Sequence, residues 1–345
     1  MRIAVDVMSG DHGCSVVIEG VKLALESDRS IAALFLVGNE AEINTARKAA
    51  QLHDPRIQII HASEVLTMDE DPLKVRRKKD SSLMRAIELV SDAKADAVIS
   101  PGNTGALVAG SMKLGRIEGV KRPAIAARMP SRTQDFVLLD AGANDVCEPL
   151  HLAQFAVMGD VYAKTLLGVS KPRVGVLSNG SEETKGNDLT RGAAKLCRHL
   201  DLNFIGYVEG FDLFNDAVDV VVTDGFTGNV VLKTAESLGY AIGSILKAEL
   251  KASPIRKLGA MLAKGGLMKM KKRMDPEVYG GAVVLGLNGT VIKTHGSSKQ
   301  RAIANAIRVA AEEIRHGVNR LVSEQIARAN ERLTALETSV SPTVK

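Results

Sequence analysis

The chain has 345 residues, of which 45% are hydrophobic, 25% charged and 3% aromatic, with a net charge of +5. This composition is that of a soluble globular protein with a sizeable core, and so few aromatic rings argue against a nucleic-acid surface built on base stacking. Three cysteines at unrelated spacings indicate neither a disulfide framework nor a metal knuckle, and we expect a reduced, cytosolic protein. We expect neither a signal peptide nor a membrane span, because long apolar runs are absent.

The first third of the chain alternates short apolar runs with helical periodicity. Helices are predicted at 15–26, 41–52 and 81–94, the last capped by Ser81 or Asp80, and a helix follows from about Ala106. A basic patch, KVRRKKD (74–80), precedes the third helix. The predicted strands of this region are 2–7, 33–38, 57–60 and 96–100.

The middle of the chain repeats the same alternation. A helix of roughly two dozen residues is predicted from Pro149, since proline suits a first helical turn. The predicted strands are 124–129, 136–140, 173–180, 203–210 and 219–223. Strands that alternate with helices in this way predict an α/β fold, with a mainly parallel sheet covered by helices on both faces. We expect one catalytic domain, 1–335.

The C-terminal region differs in pattern. Two short apolar runs flank Asn288-Gly289, a dipeptide typical of hairpin turns. A long amphipathic helix is predicted from about Ser298 to Leu333, and residues 336–345 are predicted to form a flexible tail.

Glycine-containing turns follow several of the predicted strands. In open α/β sheets, ligands bind at the carboxyl ends of strands, where helix N-termini offer free N–H groups to anions, so we expect the sheet to bring these turns together. In MSGDHG, Asp11 and His12 are candidates for orienting a substrate or moving a proton, although an ordinary capped turn is the alternative. Asp6, within an apolar strand, requires hydrogen-bond partners.

The turn SPGNTGA has a composition that suits phosphate or a carbonyl oxygen. Gly102 and Gly105 allow close backbone approach, while Asn103 and Thr104 bring hydrogen-bonding side chains to a helix start. It has neither the spacing of a nucleotide P-loop nor a GxGxxG motif, and an ordinary strand–helix turn remains an alternative.

Two further turns carry candidate residues. In SNGSEETKGN, Lys185 is predicted one turn into a helix, with Glu182 and Glu183 near the helix N-terminus, which leaves the lysine free for an anion or an oxyanion. A solvated helix lysine is the alternative. In TDGFTGN the candidates are Asp224 and Asn229, in a turn that separates a buried strand from a long helix.

The segment 250–274 contains eight basic residues and no acidic one. Ser253-Pro254 is a typical helix start, Leu258 and Leu262 share one helical face, and Gly265-Gly266 interrupts the pattern. A basic amphipathic helical insertion of this kind suits an anionic membrane surface or an acidic partner. The alternative is a core helix hairpin with a solvated basic face.

The motifs MSGDHG, SPGNTGA, DAGAN, SNGSEETKGN, TDGFTGN and THGSS follow in this order over about residues 1–315. In this combination the chain resembles the bacterial phosphate acyltransferase family, the PlsX-type fatty acid and phospholipid synthesis proteins. The family usually shows Gly-Gly-Asp where this chain has Ser9-Gly10-Asp11.

The resemblance implies the fold shared by phosphate acetyltransferases and isocitrate/isopropylmalate-type dehydrogenases. It implies a homodimeric enzyme that moves a long-chain fatty acyl group from acyl carrier protein to inorganic phosphate, with no cofactor, metal or nucleic acid. The acyl-phosphate would enter phospholipid synthesis, so the implied setting is cytoplasmic and peripherally membrane-associated, with a glycerol-phosphate acyltransferase downstream.

For this reaction we expect phosphate to attack the thioester directly, since no cysteine has a convincing histidine partner. Lys185 would carry the phosphate or oxyanion charge, Asn229 would bind the reacting carbonyl, and Asp224 would orient either of them. His12 is a candidate for protonating the leaving thiolate. The residues expected to cradle phosphate are Asn103, Thr104, Gly105, Asn187 and Gly228. Those expected to dock on a membrane, the carrier protein or both are Arg256, Lys257, Leu258, Leu262 and Lys264.

Three alternatives remain. One is a short-chain phosphate acetyltransferase that uses coenzyme A. Another is a metal- and nicotinamide-dependent decarboxylating dehydrogenase, disfavoured because no closely spaced Asp cluster is evident. The third is a non-catalytic, membrane-associated scaffold, disfavoured by the presence of Lys185, Asn229 and Asn103.

Overall fold

The computed structural model describes residues 1–340. Within them, eleven strands form one sheet in the order β3-β2-β1-β4-β11-β10-β5-β6-β9-β7-β8. The strands are β1 (Arg2–Asp6), β2 (Ala33–Gly38), β3 (Ile57–His61), β4 (Ala97–Ser100), β5 (Ala124–Pro130), β6 (Asp135–Leu139), β7 (Arg173–Leu177), β8 (Asn203–Val208), β9 (Val220–Val222), β10 (Ala282–Leu285) and β11 (Thr290–Lys293).

Helices cover both faces of this sheet. They are α1 (Gly13–Ser27), α2 (Glu40–Ala49), α3 (Ser82–Ser91), α4 (Thr104–Ser111), α5 (Pro149–Leu166), α6 (Asp188–Cys197), α7 (Gly225–Lys251), α8 (Pro254–Leu262), α9 (Lys264–Met274), α10 (Gln300–His316) and α11 (Val318–Val340). Ser81 caps α3 and Pro149 begins α5, as the sequence predicts. The predicted α/β class is therefore confirmed.

The core lies on both faces of the sheet, which explains why its strands are continuous apolar runs. Along β1, Ile3 and Val5 belong to a cluster shared with α1, α5 and α10, whereas Ala4 belongs to a second cluster shared with α3 and α4. Successive side chains of a strand point to opposite faces, so each face receives its own apolar layer.

The strands form two parallel groups that run in opposite directions. One group is β3, β2, β1, β4 and β11, and the other is β6, β9, β7 and β8. Between the groups, the pairs β11–β10, β10–β5 and β5–β6 are antiparallel. Three reversals place the carboxyl ends of the two groups at opposite edges of the sheet. The expectation that one edge gathers all the glycine-containing turns is therefore wrong.

The C-terminal region agrees with the prediction in its hairpin and differs in its helix. Strands β10 and β11 pair antiparallel around Asn288-Gly289. The predicted single helix is two helices, because Gly317 adopts the left-handed conformation (φ 63°, ψ 40°) that ends α10. Helix α11 continues to Val340, so the predicted tail, 336–345, begins inside a helix, and its residues 341–345 lie outside the described part of the chain.

The basic segment forms two short helices beyond the end of α7. Ser253 caps α8 by accepting a hydrogen bond from the N–H of Arg256 (3.2 Å), as its Ser-Pro sequence predicts. The interruption lies at Ala263 rather than at the predicted Gly265-Gly266, and both glycines are helical in α9. Neither α8 nor α9 buries a side chain. No helix within residues 1–340 is both long and apolar enough to span a membrane.

Candidate active site

Three loops that follow β1, β4 and β11 pack against one another; we call them the N-terminal loop cluster (residues 7–12, 101–104 and 294–298). The N–H of Asp11 donates to the carbonyl of Gly296 (2.9 Å), and the N–H of Thr294 donates to the carbonyl of Ser100 (3.0 Å). A Cβ atom on Gly10 would lie 3.1 Å from Pro101. The close approach of these backbones therefore requires a glycine at this position, where φ is +109°.

Asp6 holds two of these loops together. It is fully buried, and it accepts hydrogen bonds from the N–H groups of Met8 and Ser9 (both 3.3 Å) and from the hydroxyl of Ser100 (2.7 Å). The Ser100 hydroxyl in turn accepts from the N–H of Gly102 (3.0 Å). The prediction that this buried carboxylate has hydrogen-bond partners is confirmed. Its oxygens accept hydrogen bonds from two loops and so hold these loops together.

Asn103 is the N-cap of α4. Its side-chain oxygen accepts from the N–H of Ala106 (3.0 Å), and its amide nitrogen donates to the carbonyl of Met68 (2.9 Å). Because both ends of this side chain are engaged, the groups of this turn that remain for an anion are the N–H groups of the first helical turn, at Thr104 and Gly105.

Lys293 is a member of this cluster that the sequence analysis did not identify. It ends β11 with 9% exposure, and its ammonium donates to the carbonyls of Thr294 and Pro101. Its pKa is lowered to about 8, chiefly by burial and also by the charge of Lys233, while Asp11 and Asp6 act in the opposite direction. A lysine at the end of the apolar run TVIK was the available signal.

Two histidines lie in the N-terminal loop cluster, and only His12 was predicted. His12 is exposed, directly precedes α1 and borders a small pocket together with Ser9 and Gly296. The Nδ1 atom of His295 lies 2.7 Å from the hydroxyl of Ser297. Burial lowers the pKa of His295, and the charge of Lys233 lowers it further, so this imidazole is neutral at pH 7.

A second set of loops follows β6, β7 and β9; we call it the C-terminal loop cluster (residues 140–148, 178–187 and 224–229). Asp140 is its centre, since its carboxylate accepts from the N–H groups of Ile125, Gly142, Ala143 and Asn144 at 2.7–3.2 Å. Burial raises the pKa of Asp140, and these hydrogen bonds act in the opposite direction. The signal in the sequence was an aspartate ending the apolar run FVLL.

Lys185 lies in a loop and not in a helix, contrary to the prediction. Helix α6 begins three residues later, because Asn187 caps it through reciprocal hydrogen bonds with Thr190 (both 2.9 Å) and Gly186 adopts a φ of +82°. Glu183 does not serve the helix N-terminus but pairs with Arg198 (2.8 Å). The Lys185 side chain is exposed, and its ammonium makes no ion pair with any described residue.

Asn229 and Gly228 lie in the first turn of α7, where the sequence predicts a turn before the helix. Asp224 is the N-cap, and its carboxylate accepts from the N–H and the hydroxyl of Thr227 (both 2.8 Å). Within residues 1–340, the Asp224 carboxylate makes no hydrogen bond to Asn229 or Lys185. A Cβ on Gly228 would overlap the carbonyl oxygen of Asp140, whereas Asn229 is exposed.

Helix α7 joins the two loop clusters. Its first turn carries Asn229, and one turn later the charge of Lys233 acts on Lys293 and His295 of the other cluster. Lys233 also pairs with Glu236 (2.8 Å). The two clusters, although they lie at opposite edges of the sheet, thus border one region along the start of α7.

None of the three cysteines is an activated nucleophile. Burial raises the pKa of Cys14 to about 11 and those of Cys147 and Cys197 to about 12, so all three are thiols at neutral pH. The described residues contain no group of three His, Cys, Asp or Glu side chains arranged to hold a metal ion. What the two clusters offer is helix N-termini, lysines and amides, which suit an anion and a carbonyl oxygen.

Comparison with known proteins decides the family. A family model described as "Fatty acid synthesis protein" matches residues 1–321. A phosphate acyltransferase from Geotalea daltonii is 47% identical over 328 residues, which cover 94% of each chain. The chain belongs to the phosphate acyltransferase family. A second member, from Pelotomaculum thermopropionicum, is 47% identical over 326 residues, again 94% of each chain.

Membership of this family confirms the predicted activity as that of a phosphate acyltransferase in fatty acid and phospholipid synthesis. The fold is also shared with a solved phosphotransacetylase from Streptococcus pyogenes, with a TM-score of 0.62 at 18% identity over 91% of this chain and 94% of that one. The predicted phosphate acetyltransferase-like fold is therefore confirmed. The dehydrogenase and scaffold alternatives are set aside.

Proposed function

We propose that this phosphate acyltransferase takes a long-chain acyl group from acyl carrier protein. A phosphate oxygen attacks the thioester carbonyl, the carbon–sulfur bond breaks, and the carrier leaves as a thiol after its thiolate gains a proton. The observation that carries this proposal is membership of the phosphate acyltransferase family. Direct attack is supported by the raised pKa values of the three cysteines, which leave no cysteine thiolate to form an acyl-enzyme. Phosphate is itself a sufficient nucleophile.

We assign the charge chemistry to Lys185 and Asn229. They follow β7 and β9, which are adjacent in the sheet, and both side chains are exposed. The unpaired ammonium of Lys185 holds the phosphate or the developing oxyanion, and the amide of Asn229 donates to the reacting carbonyl. Positioned donors of this kind contribute about 3–4 kcal/mol each to lowering the barrier.

The phosphate cradle consists of backbone N–H groups at helix starts. Thr104 and Gly105 supply them on α4, whereas the N–H of Gly228, predicted to take part, donates to the carbonyl of Asp224 (2.9 Å) inside α7. Asn103 holds the start of α4 in place as its cap, Asn187 does so for α6 beside Lys185, and Asp224 does so for α7, which carries Asn229. His12, exposed beside the pocket of the N-terminal loop cluster, is the proposed proton donor to the leaving thiolate.

The basic segment is proposed to bind an anionic membrane surface. On α8, Ile255 and Leu262 are 83% and 81% exposed, Leu258 is also exposed, and Arg256 and Lys257 lie beside them. Apolar side chains flanked by cations suit the lipid headgroup boundary. This supports a cytoplasmic, peripherally membrane-bound enzyme that passes acyl-phosphate to a glycerol-phosphate acyltransferase.

A homodimer is proposed because α7 buries only Gly225 and Gly228 in the single chain. Its exposed apolar residues, among them Leu238, Tyr240 and Ile245, require a cover. A second copy of the chain is the proposed cover.

The catalytic assignment is tested with palmitoyl–acyl carrier protein and inorganic phosphate, by measuring the release of acyl-phosphate. Lys185→Ala and Asn229→Ala should each lower kcat by about 10²–10³-fold, since each removes a donor to developing charge. Lys195→Ala, an exposed lysine on α6, is the control and should not change the rate.

Rates for Lys185→Ala and Asn229→Ala that stay within a few-fold of wild type would contradict the assignment. Faster turnover of acetyl-coenzyme A than of the palmitoyl carrier would instead favour the short-chain alternative.

A further inference from the structure

A basic stretch borders the N-terminal loop cluster, and the proposed chemistry does not use it. We define the rim patch as residues 73–79, LKVRRKK. The chain just before it packs on the cluster: Met68 accepts a hydrogen bond from the side chain of Asn103 (2.9 Å), and its methyl group lies 3.1 Å from where a Cβ on Gly296 would stand. A Cβ on Gly105 would lie 2.8 Å from Pro72. The patch is therefore at the rim of the proposed phosphate cradle.

Several cations of the rim patch have no carboxylate partner. The carboxylate of Glu70 forms ion pairs with the ammonium groups of Lys74 (3.5 Å) and Lys78 (2.9 Å). Within residues 1–340, Arg76 and Arg77 form no ion pair and are exposed. A run of basic residues like this one is usually a solvated surface with no binding role. What distinguishes this one is its position beside the site, together with the exposed apolar side chains of Leu73 (57%) and Met68 (38%).

The basic helix α8 does not have this position, and α9 returns to the fold at the β5–β6 turn, where Arg273 donates to the carbonyls of Ser131 and Gln134. From Asn229 to Lys251 at the end of α7 there are 22 residues (251 − 229), which correspond to roughly 33 Å of helix before α8 begins. The rim patch, in contrast, touches the loops of the site itself. The two basic surfaces therefore suit different partners, and a partner that must deliver a substrate into the site suits the rim patch.

We propose that the rim patch docks the acidic carrier protein that presents the acyl thioester, an inference that rests on the proposed function. Exposed arginines complement carboxylates on the carrier, and Leu73 and Met68 provide an apolar centre for the contact. Charge complementarity of this kind steers association and lowers KM, but it leaves the chemical step unchanged. Because the attraction is electrostatic, salt screens it.

The test is the double variant Arg76→Glu/Arg77→Glu, assayed with palmitoyl–acyl carrier protein and phosphate. At about 0.05 M salt, KM for the carrier thioester should rise by about tenfold or more, while kcat and KM for phosphate stay within about twofold of wild type. At about 0.5 M salt the difference from wild type should largely disappear.

The matched control is Lys171→Glu/Lys195→Glu, which changes the net charge by the same amount. Both lysines are exposed; Lys171 precedes β7 and Lys195 is on α6, and β7 is six strand positions from β4, or roughly 29 Å. The control should leave KM for the carrier within about twofold of wild type.

An unchanged carrier KM in the rim-patch variant, or an equal rise in the control, overturns the docking site and leaves the proposed function standing. A loss of binding to anionic vesicles with an unchanged carrier KM also overturns it and assigns the patch to lipid. If the wild-type enzyme does not turn over the carrier thioester with phosphate, the proposed function fails and the docking site fails with it.

Discussion

At the scale of single residues, Glu313 is the most unusual ionisable group of the core. It is 1% exposed on α10, and neither of its carboxylate oxygens has a hydrogen-bond partner among the described residues. Burial raises its pKa to about 8, from an ordinary value near 4.5. The folded protein therefore keeps a proton that the unfolded chain releases, so folding stability falls as pH rises from about 4.5 to about 8.

The variant Glu313→Gln should remove most of this pH dependence, because glutamine cannot ionise. At pH 9 the free energy of unfolding of the variant should exceed that of wild type by about 3–5 kcal/mol. Near pH 4 the two free energies should agree. Thermal or urea unfolding across pH 4–9 measures this.

Glu331→Gln, at an exposed position of α11, is the control and should behave as wild type at every pH. A constant offset between Glu313→Gln and wild type across the pH range would contradict the assignment of a raised pKa to Glu313.

The candidate residues could be predicted from sequence where their signal is local. Asn103 was expected at a helix start and is the N-cap of α4, whereas Asn187, two residues after a lysine predicted to be helical, proves to be the N-cap of α6. Lys293 and Asp140 were not identified, because their importance arises from burial by elements that are distant in the chain. Their only local sign is a charged residue at the end of an apolar strand, which ordinary strand ends also show.

At the scale of elements, the start of α7 depends on a glycine that contacts backbone. Gly228 lies against the carbonyl of Asp140, so Gly228→Ala should overlap that oxygen and displace the loop. We expect a loss of about 1–3 kcal/mol in the free energy of unfolding, together with lower activity, since Asn229 is the next residue. Urea unfolding and the acyl-phosphate assay measure the two effects.

Gly243→Ala is the matched control on the same helix. Nothing lies within 4 Å of a Cβ at Gly243, so alanine there should raise the stability of α7 by about 0.5–1 kcal/mol. Equal effects of the two substitutions would show that the contact with Asp140 does not control the start of the helix.

Helix starts could be predicted where a capping residue or a proline marks them, whereas the starts of α6 and α7 were misplaced. Ser81, Ser253 and Pro149 mark starts through side-chain caps or a fixed φ, which are local properties. The division between α10 and α11 at Gly317 was missed, because an isolated glycine in an amphipathic pattern is compatible with a continuous helix. The conformation of that glycine is set by the packing of two helices, which the local pattern does not contain.

At the scale of the whole molecule, the proposed membrane binding depends on the exposed apolar face of α8. Replacing Leu258 and Leu262 by glutamate should release the enzyme from anionic vesicles, because it removes apolar area and adds two charges that the lipid surface repels. Co-sedimentation with vesicles that contain anionic lipid measures binding.

In the same experiment, the activity of the Leu258→Glu/Leu262→Glu variant on palmitoyl–acyl carrier protein in vesicle-free solution should match that of wild type. Vesicle binding that survives the double substitution would refute the membrane role of α8.

The antiparallel pairings in the middle of the sheet affect the distance between the two loop clusters that form the proposed site. The groups proposed to hold phosphate on α4 and the amide of Asn229 follow strands of the two parallel groups, which run in opposite directions and have β10 and β5 between them. These two strands carry no candidate residue, yet they join the two parallel groups, so their twist contributes to the distance between the two loop clusters. The spacing that the proposed site requires between phosphate and carbonyl thus depends in part on the twist of the sheet, and substitutions in β10 and β5 would change it without altering a candidate residue.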